Sequence, residues 1–165
     1  MIKGILLILA FLLFSLISES YVRSLEKLKG EREVKSELRE VEIQLYGKKG
    51  LEWKIRGTTL TYVSSHVVVK NPVIRTENYT ITSERLYMDR NSRRGRLEGK
   101  VEIRGPNLYL RTLNAYVDLV KNVAWGYERL ILRKDSNVIR GRGFKIFFKP
   151  FKVHINEVES IHTAP

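Results

Sequence analysis

The sequence predicts an all-β fold, an open antiparallel β-roll built from repeated bent hairpins. Three observations predict it: a short pattern that recurs, a break of parity inside every copy, and turn-prone stretches between apolar runs. The pattern reads apolar, any, small, two of any, apolar or Ala, any, apolar. Its copies start at Ile55, Ile81, Leu110 and Ile139, spaced by 26, 29 and 29 residues. Such a period marks one supersecondary unit stacked on copies of itself. A β-sandwich with accidental self-similarity is the competing reading, and the near-constant period favours the repeat.

In order, the marked residues are Ile55, Gly57, Leu60 and Tyr62; Ile81, Ser83, Leu86 and Met88; Leu110, Thr112, Ala115 and Val117; and Ile139, Gly141, Phe144 and Ile146. The first and last steps of each copy are two residues, as for side chains on one face of a strand. The middle step is three, so one extra residue sits inside each strand. A β-bulge or sharp bend supplies it, and the small residue before the break leaves room for the bend. A second strand follows each copy, at Val67–Val69, Leu97–Ile103, Leu130–Leu132 and Phe151–Ile155. Lys70–Pro72, Asp89–Ser92, Gly105–Asn107, Lys134–Asn137 and Lys149–Pro150 carry the turn residues between strands.

The 165 residues suffice for one domain with appendages, and the absence of cysteine excludes disulfides and thiolate metal sites. The net charge of +12 is unevenly spread. Residues 1–46 are neutral in sum, so 47–165 carry all of it. Basic side chains interleave with the inward positions, among them Lys54, Arg56, Arg85, Arg111, Arg140, Arg142 and Lys145. A basic β domain suits an acidic partner: nucleic acid, an anionic membrane or a phosphorylated glycolipid. A solvated, aggregation-resistant surface explains the charge equally well.

Gly4–Ile17 is an apolar run broken only by Ser15 and preceded by Lys3. As a helix it spans about 21 Å, short of the roughly 30 Å hydrocarbon core. Ile2, Tyr21 and Val22 can extend it into a transmembrane anchor. Its length also fits a signal peptide with Ser18-Glu19-Ser20 at the cleavage site. We assign 1–22 to an anchor or uncleaved signal and 23–40 to a charged helical spacer. The β domain is assigned to 41–160, opened by the alternating Val41-Glu42-Ile43-Gln44-Leu45. Arg23, Lys27 and Lys29 after the run pull the topology toward a cytoplasmic C-terminal side.

No catalytic constellation is present. His66, His154 and His162 match no metal-ligand motif, and no nucleophile elbow, P-loop or dinucleotide fingerprint occurs. No cofactor is expected. Asn78-Tyr79-Thr80 matches a glycosylation sequon and carries little weight. Phe144–Lys152 interleaves aromatic and basic residues, as a nucleic-acid stacking surface does. On an alternating strand such aromatics fill a core, and no nucleic acid is expected as partner.

Gly50-Leu-Glu-Trp53-Lys-Ile-Arg-Gly57 opens the repeat after an apolar run and a spacer. Tyr79–Asp89 followed by Leu97-Glu-Gly99-Lys-Val101 continues it, and Ile139-Arg-Gly141-Arg-Gly143-Phe144 ends it. In this order the motifs resemble the lipopolysaccharide export system protein C family, and the middle one is similar to the OstA-like repeat of periplasmic export components. The resemblance covers roughly residues 41–155. It implies a non-enzymatic β-jellyroll in the periplasm, tethered to the inner membrane by a single-pass helix. It implies lipopolysaccharide as cargo, taken from an inner-membrane ABC transporter and passed to a soluble bridge protein of the same fold. The inward Ile55, Leu60, Tyr62, Ile81, Leu86, Met88, Leu110, Val117, Phe144 and Ile146 either line an apolar groove for acyl chains or pack a plain core. Gly141 and Gly143 keep the bend near a docking edge. A soluble secreted bridge protein of this fold, or a basic β-protein binding polyanions, remains the alternative.

Overall fold

The computed structural model describes residues 37–163. They form a compact unit with its own core and an 11-stranded antiparallel sheet. The strands are β1 (Glu37–Gly47), β2 (Gly50–Val63), β3 (His66–Lys70), β4 (Val73–Arg75), β5 (Thr80–Thr82), β6 (Arg85–Asp89), β7 (Arg94–Gly105), β8 (Leu108–Asp118), β9 (Val123–Lys134), β10 (Asn137–Phe148) and β11 (Phe151–Thr163).

The topology is a meander. Lys70 lies opposite Thr59 and Val73 opposite Arg56, so β3 and β4 keep one register on β2. They are one strand kinked at Asn71-Pro72. The Lys70–Pro72 stretch, read from the sequence as a turn between strands, therefore bends the chain without reversing it. The pyrrolidine ring removes a ladder donor there, and Asn71 takes φ 49°. β5 and β6 are likewise one strand kinked at Ser83-Glu84, in a single register on β4 and β3.

The kinks line up. Asn71 donates its backbone N–H to the Glu84 carbonyl at 2.8 Å, and its side-chain Nδ2 to Thr58 Oγ1 at 3.3 Å. Registers slip between Glu98 and Val101 on β7, between Thr112 and Tyr116 on β8, and between Arg142 and Phe144 on β10. Each slip is an extra residue in the ladder, as the parity break requires. Asn114 bridges the middle of the line, accepting from the Gly99 N–H at 3.4 Å and donating to Glu128 at 2.8 Å. The sheet is thus creased along one line across its strands. The four copies of the pattern lie on every second long strand, with Gly57, Ser83, Thr112 and Gly141 beside the crease.

Creasing folds the apolar face onto itself. Trp53, Ile55, Ile74, Ile81, Ile103 and Leu110 lie on one side of the line; Leu60, Leu86, Leu97, Val117, Phe144 and Ile146 lie on the other. All are buried in one cluster. Trp53 packs edge-on against Phe148 with centroids 5.3 Å apart. Its indole N–H donates to Asn122 Oδ1 at 2.7 Å, tying β2 to the β8–β9 turn.

The sheet starts before the expected boundary. Glu37, Leu38 and Arg39 pair with Thr61, Leu60 and Thr59, so residues 37–40 are strand and not part of a helical spacer. The exposed ladder of β2 offers them paired backbone groups. The helix alternative offers i,i+4 pairs worth only about 0.2–0.5 kcal/mol each. The N-terminal anchor and the rest of the spacer lie outside the described residues.

Candidate functional site

The feature that distinguishes this sheet is that it does not close. Among the described residues β1 pairs only with β2, and β11 only with β10. The two end strands do not touch one another. Each presents one row of backbone N–H and C=O groups without a strand partner among the described residues. Charged side chains along both strands, such as Glu37, Arg39, Lys152 and Glu157, guard the edges against indiscriminate pairing. Leu38 and Tyr46 on β1, and Phe151, Val158 and Ile161 on β11, remain exposed.

Behind these edges lies the apolar interior. Ile55, Leu60, Ile81, Leu86, Met88, Leu110, Val117, Phe144 and Ile146 are all buried, none above 4% exposed. Tyr62 is half-buried, with the Arg90 guanidinium 5.2 Å over its ring. In this conformation the residues pack one core. Toward its two ends Val41, Ile43, Leu45, Ile139, Val153 and Ile155 are half-buried against the core, as is Tyr79 at the β4–β5 turn. The sequence reading did not nominate these rim residues as lining. Their signal was the alternation of Val41-x-Ile43-x-Leu45 and Val153-x-Ile155, which marks an inward face at both sheet ends.

Gly141 and Gly143 sit where β10 bulges beside β11. A Cβ on Gly141 would press on the backbone carbonyl oxygen of Glu157 and lie 2.9 Å from Ile155 Cγ2. Gly143 has φ +73°, a conformation that strains any L side chain. Both glycines therefore hold the last strand in register across the crease.

Two carboxylates fix the ends electrostatically. Glu42 on β1 accepts from Gln44, Arg56 and Lys54, the last two from β2, at 2.7, 2.8 and 3.2 Å. Those three donors hold its carboxyl down at about 2. Asp118 ends β8. Burial raises its carboxyl, but the Lys121 N–H, the Arg94 guanidinium and the Val120 N–H outweigh burial and hold it below the usual range.

The remaining chemistry is sparse. Among the described residues no cluster of His, Asp and Glu could hold a metal. His66 faces Asp89 at 3.8 Å, while His154 and His162 lie exposed on β11. In the aromatic–basic stretch, Phe144 and Phe148 point into the core, and Phe151 stacks on Tyr79 at 4.8 Å. Phe147 lies beneath Lys145.

No family model matches the chain. An uncharacterized protein of Aquifex aeolicus (strain VF5) is 73% identical over 164 residues, spanning 99% of each chain. The chain belongs to the same family as that protein. Among solved structures it is similar to LptH of Pseudomonas aeruginosa, described as the LptA-homologous periplasmic component of the conserved lipopolysaccharide transport device. The TM-score is 0.53 and the identity 12%, over 68% of this chain and 95% of LptH. At that identity the likeness establishes the fold: an LptA-like, all-β antiparallel jellyroll.

Proposed function

We propose that the protein is a non-enzymatic component of lipopolysaccharide transport. In this reading the Gly4–Ile17 run anchors it as a single-pass protein of the inner membrane, with the β domain in the periplasm. The domain accepts lipopolysaccharide from an inner-membrane ABC extractor and passes it to a soluble bridge protein of the same fold.

The observation that carries the reading is the unclosed creased sheet, an apolar interior flanked by two unpaired edges. Acyl chains need a dry, apolar channel, and edge pairing joins such channels end to end by β-augmentation. The half-buried rim at β1 and β11 is where cargo enters. When a rim strand lifts, Ile55, Leu60, Tyr62, Ile81, Leu86, Met88, Leu110, Val117, Phe144 and Ile146 become the groove lining. Gly141 and Gly143 shape the edge that docks the next roll. The likeness to LptH supports the cargo class, because that protein is a component of a lipopolysaccharide transport device.

The same likeness favours a second reading, a soluble bridge protein of this fold, since LptH is the LptA-homologous component. N-terminal sequencing of the mature protein separates the two: cleavage after Ser20 gives the bridge, and an intact Met1 gives the anchored member. The cargo itself is tested by gel filtration of residues 37–163 mixed with lipopolysaccharide. Co-elution that is lost in an Ile43→Asp, Ile155→Asp variant of unchanged β-sheet circular dichroism is the expected result. Equal retention by both proteins, or by neither, contradicts the reading.

A further inference from the structure

The outer face of the sheet carries a feature that cargo transfer does not use. Across β7, β8, β9 and β10 the register places Glu102, Arg111, Ile131 and Arg140 in one row, with Arg104, Tyr109 and Arg133 in the next. Leu110, Thr112, Leu130 and Leu132 are buried, so this alternate set points away from the core. Two shallow depressions adjoin there. One, about 480 Å³, is bordered by Lys100, Arg111, Leu113, Arg129, Ile131 and Arg140. The other, about 460 Å³, lies among Arg104, Tyr109, Arg111, Ile131 and Arg133. They share Arg111 and Ile131 and form one trough.

The charges in the trough are largely uncompensated. Arg104 holds Glu102 at 2.8 Å, and Arg129 lies 3.8 Å from Glu159. Arg111, Arg133 and Arg140 have no carboxylate partner among the described residues. In the middle of these cations the sheet exposes aliphatic side chains, Leu113 at 65% and Ile131 at 36%. Guanidinium groups around exposed aliphatics match one chemistry closely. Arginine forks bind lipid phosphates, while aliphatic side chains enter the boundary between headgroups and acyl chains. A nucleic acid would call for exposed rings to stack on. Tyr109 is the aromatic residue of the trough, its ring lying under Arg104 at 4.9 Å and Arg133 at 5.9 Å, while the exposed Tyr116 and Tyr127 rings lie outside the trough.

We infer that the outer face of β7–β10, centred on Arg111, Arg140, Leu113 and Ile131, docks on an anionic phospholipid bilayer. The inference stands apart from the transport reading, since it uses neither the interior nor the β1 edge, and its trough meets the β11 edge only at Glu159.

The chain has no cysteine, so residues 37–163 with Leu113→Cys carry an environment-sensitive fluorophore at one chosen place. Its emission is followed during titration with phosphatidylcholine vesicles containing phosphatidylglycerol, or with phosphatidylcholine alone. A blue shift with the anionic vesicles, absent with the neutral ones and reversed by salt, is expected. Arg111→Gln and Arg140→Gln should each weaken vesicle affinity about fivefold. The same label at Val120→Cys, in the β8–β9 turn, should stay in water. No shift at position 113, an equal shift at 120, or affinity unchanged in the double arginine variant would overturn the inference. So would the same shift produced by an RNA oligonucleotide without vesicles.

Discussion

Gly143 is held at φ +73° because β10 must carry an extra residue where it crosses the crease. An alanine there should destabilise the domain by about 1–2 kcal/mol, through backbone strain and the crowding of its Cβ against the Asn156 side chain. A urea midpoint at the wild-type value would show that the bulge relaxes freely. Gly143→Arg adds bulk against Asn156 of β11 and should disturb edge docking beyond its effect on stability. Normal partner binding by that variant contradicts the docking role. Trp53 poses a different residue-scale problem. Its indole N–H is buried and satisfied by Asn122 alone. Asn122→Gly, which keeps the left-handed backbone at φ 54°, should therefore cost about 1–3 kcal/mol, the penalty of a buried donor without an acceptor. Thermal unfolding read by tryptophan fluorescence measures it, and an unchanged midpoint means that water has replaced the amide.

The attachment of β1 should respond to pH. Its Glu42 binds Lys54 and Arg56 of β2, and its carboxyl is held at about 2 against 4.5 in a free chain. A lowered carboxyl stabilises the folded state fully above its unfolded value. That contribution is lost as pH falls from 4.5 toward 2. Glu42 is exposed, so the effect is modest and weakens with salt. The amide signals of Val41–Leu45 should broaden over that acid range before those of β8 and β9 do. Simultaneous loss of all of them would mean that β1 is held by its ladder alone. Much at this scale was legible in the sequence. The three-residue step in each copy of the pattern located the crease, because a period-2 strand can regain its inward face only through an inserted residue. The start of β1 was not legible. Leu38 and Val41 stand three apart, a helical step that breaks strand alternation, and the free edge of β2 decides for the strand. The short β4 was also hidden, since Pro72 reads locally as a turn while the shared register makes β3 and β4 halves of one kinked strand. Nor could the arginine trough be read along the chain. Its residues come from four strands, and only cross-strand register brings Arg111, Ile131 and Arg140 together.

At the scale of the whole described domain, residues 37–163, the governing fact is that the sheet folds over without closing. A closed barrel of this length would bury its edges and seal its interior. Here the interior is packed in the middle, and half-buried rims lead out to two edges. That architecture favours passage along the roll and coupling to a neighbouring roll over chemistry at a fixed pocket. Covalently joining the rims should block passage. An Ile43→Cys, Ile155→Cys pair, bridged by a bifunctional thiol reagent, is expected to stop lipopolysaccharide uptake and to restore it when the bridge is cut. Uptake by the bridged form would place the entry elsewhere.

The most direct test replaces leucine throughout residues 37–163 with photo-leucine, which is close in size and leaves the core packed. The protein is irradiated with lipopolysaccharide, and adducts are mapped by mass spectrometry. Lipid adducts on the inward Leu60, Leu86 and Leu110 are the predicted result. Adducts confined to outward positions such as Leu51 and Leu113, with the domain folded, would contradict an acyl-chain channel and leave the interior as an ordinary core.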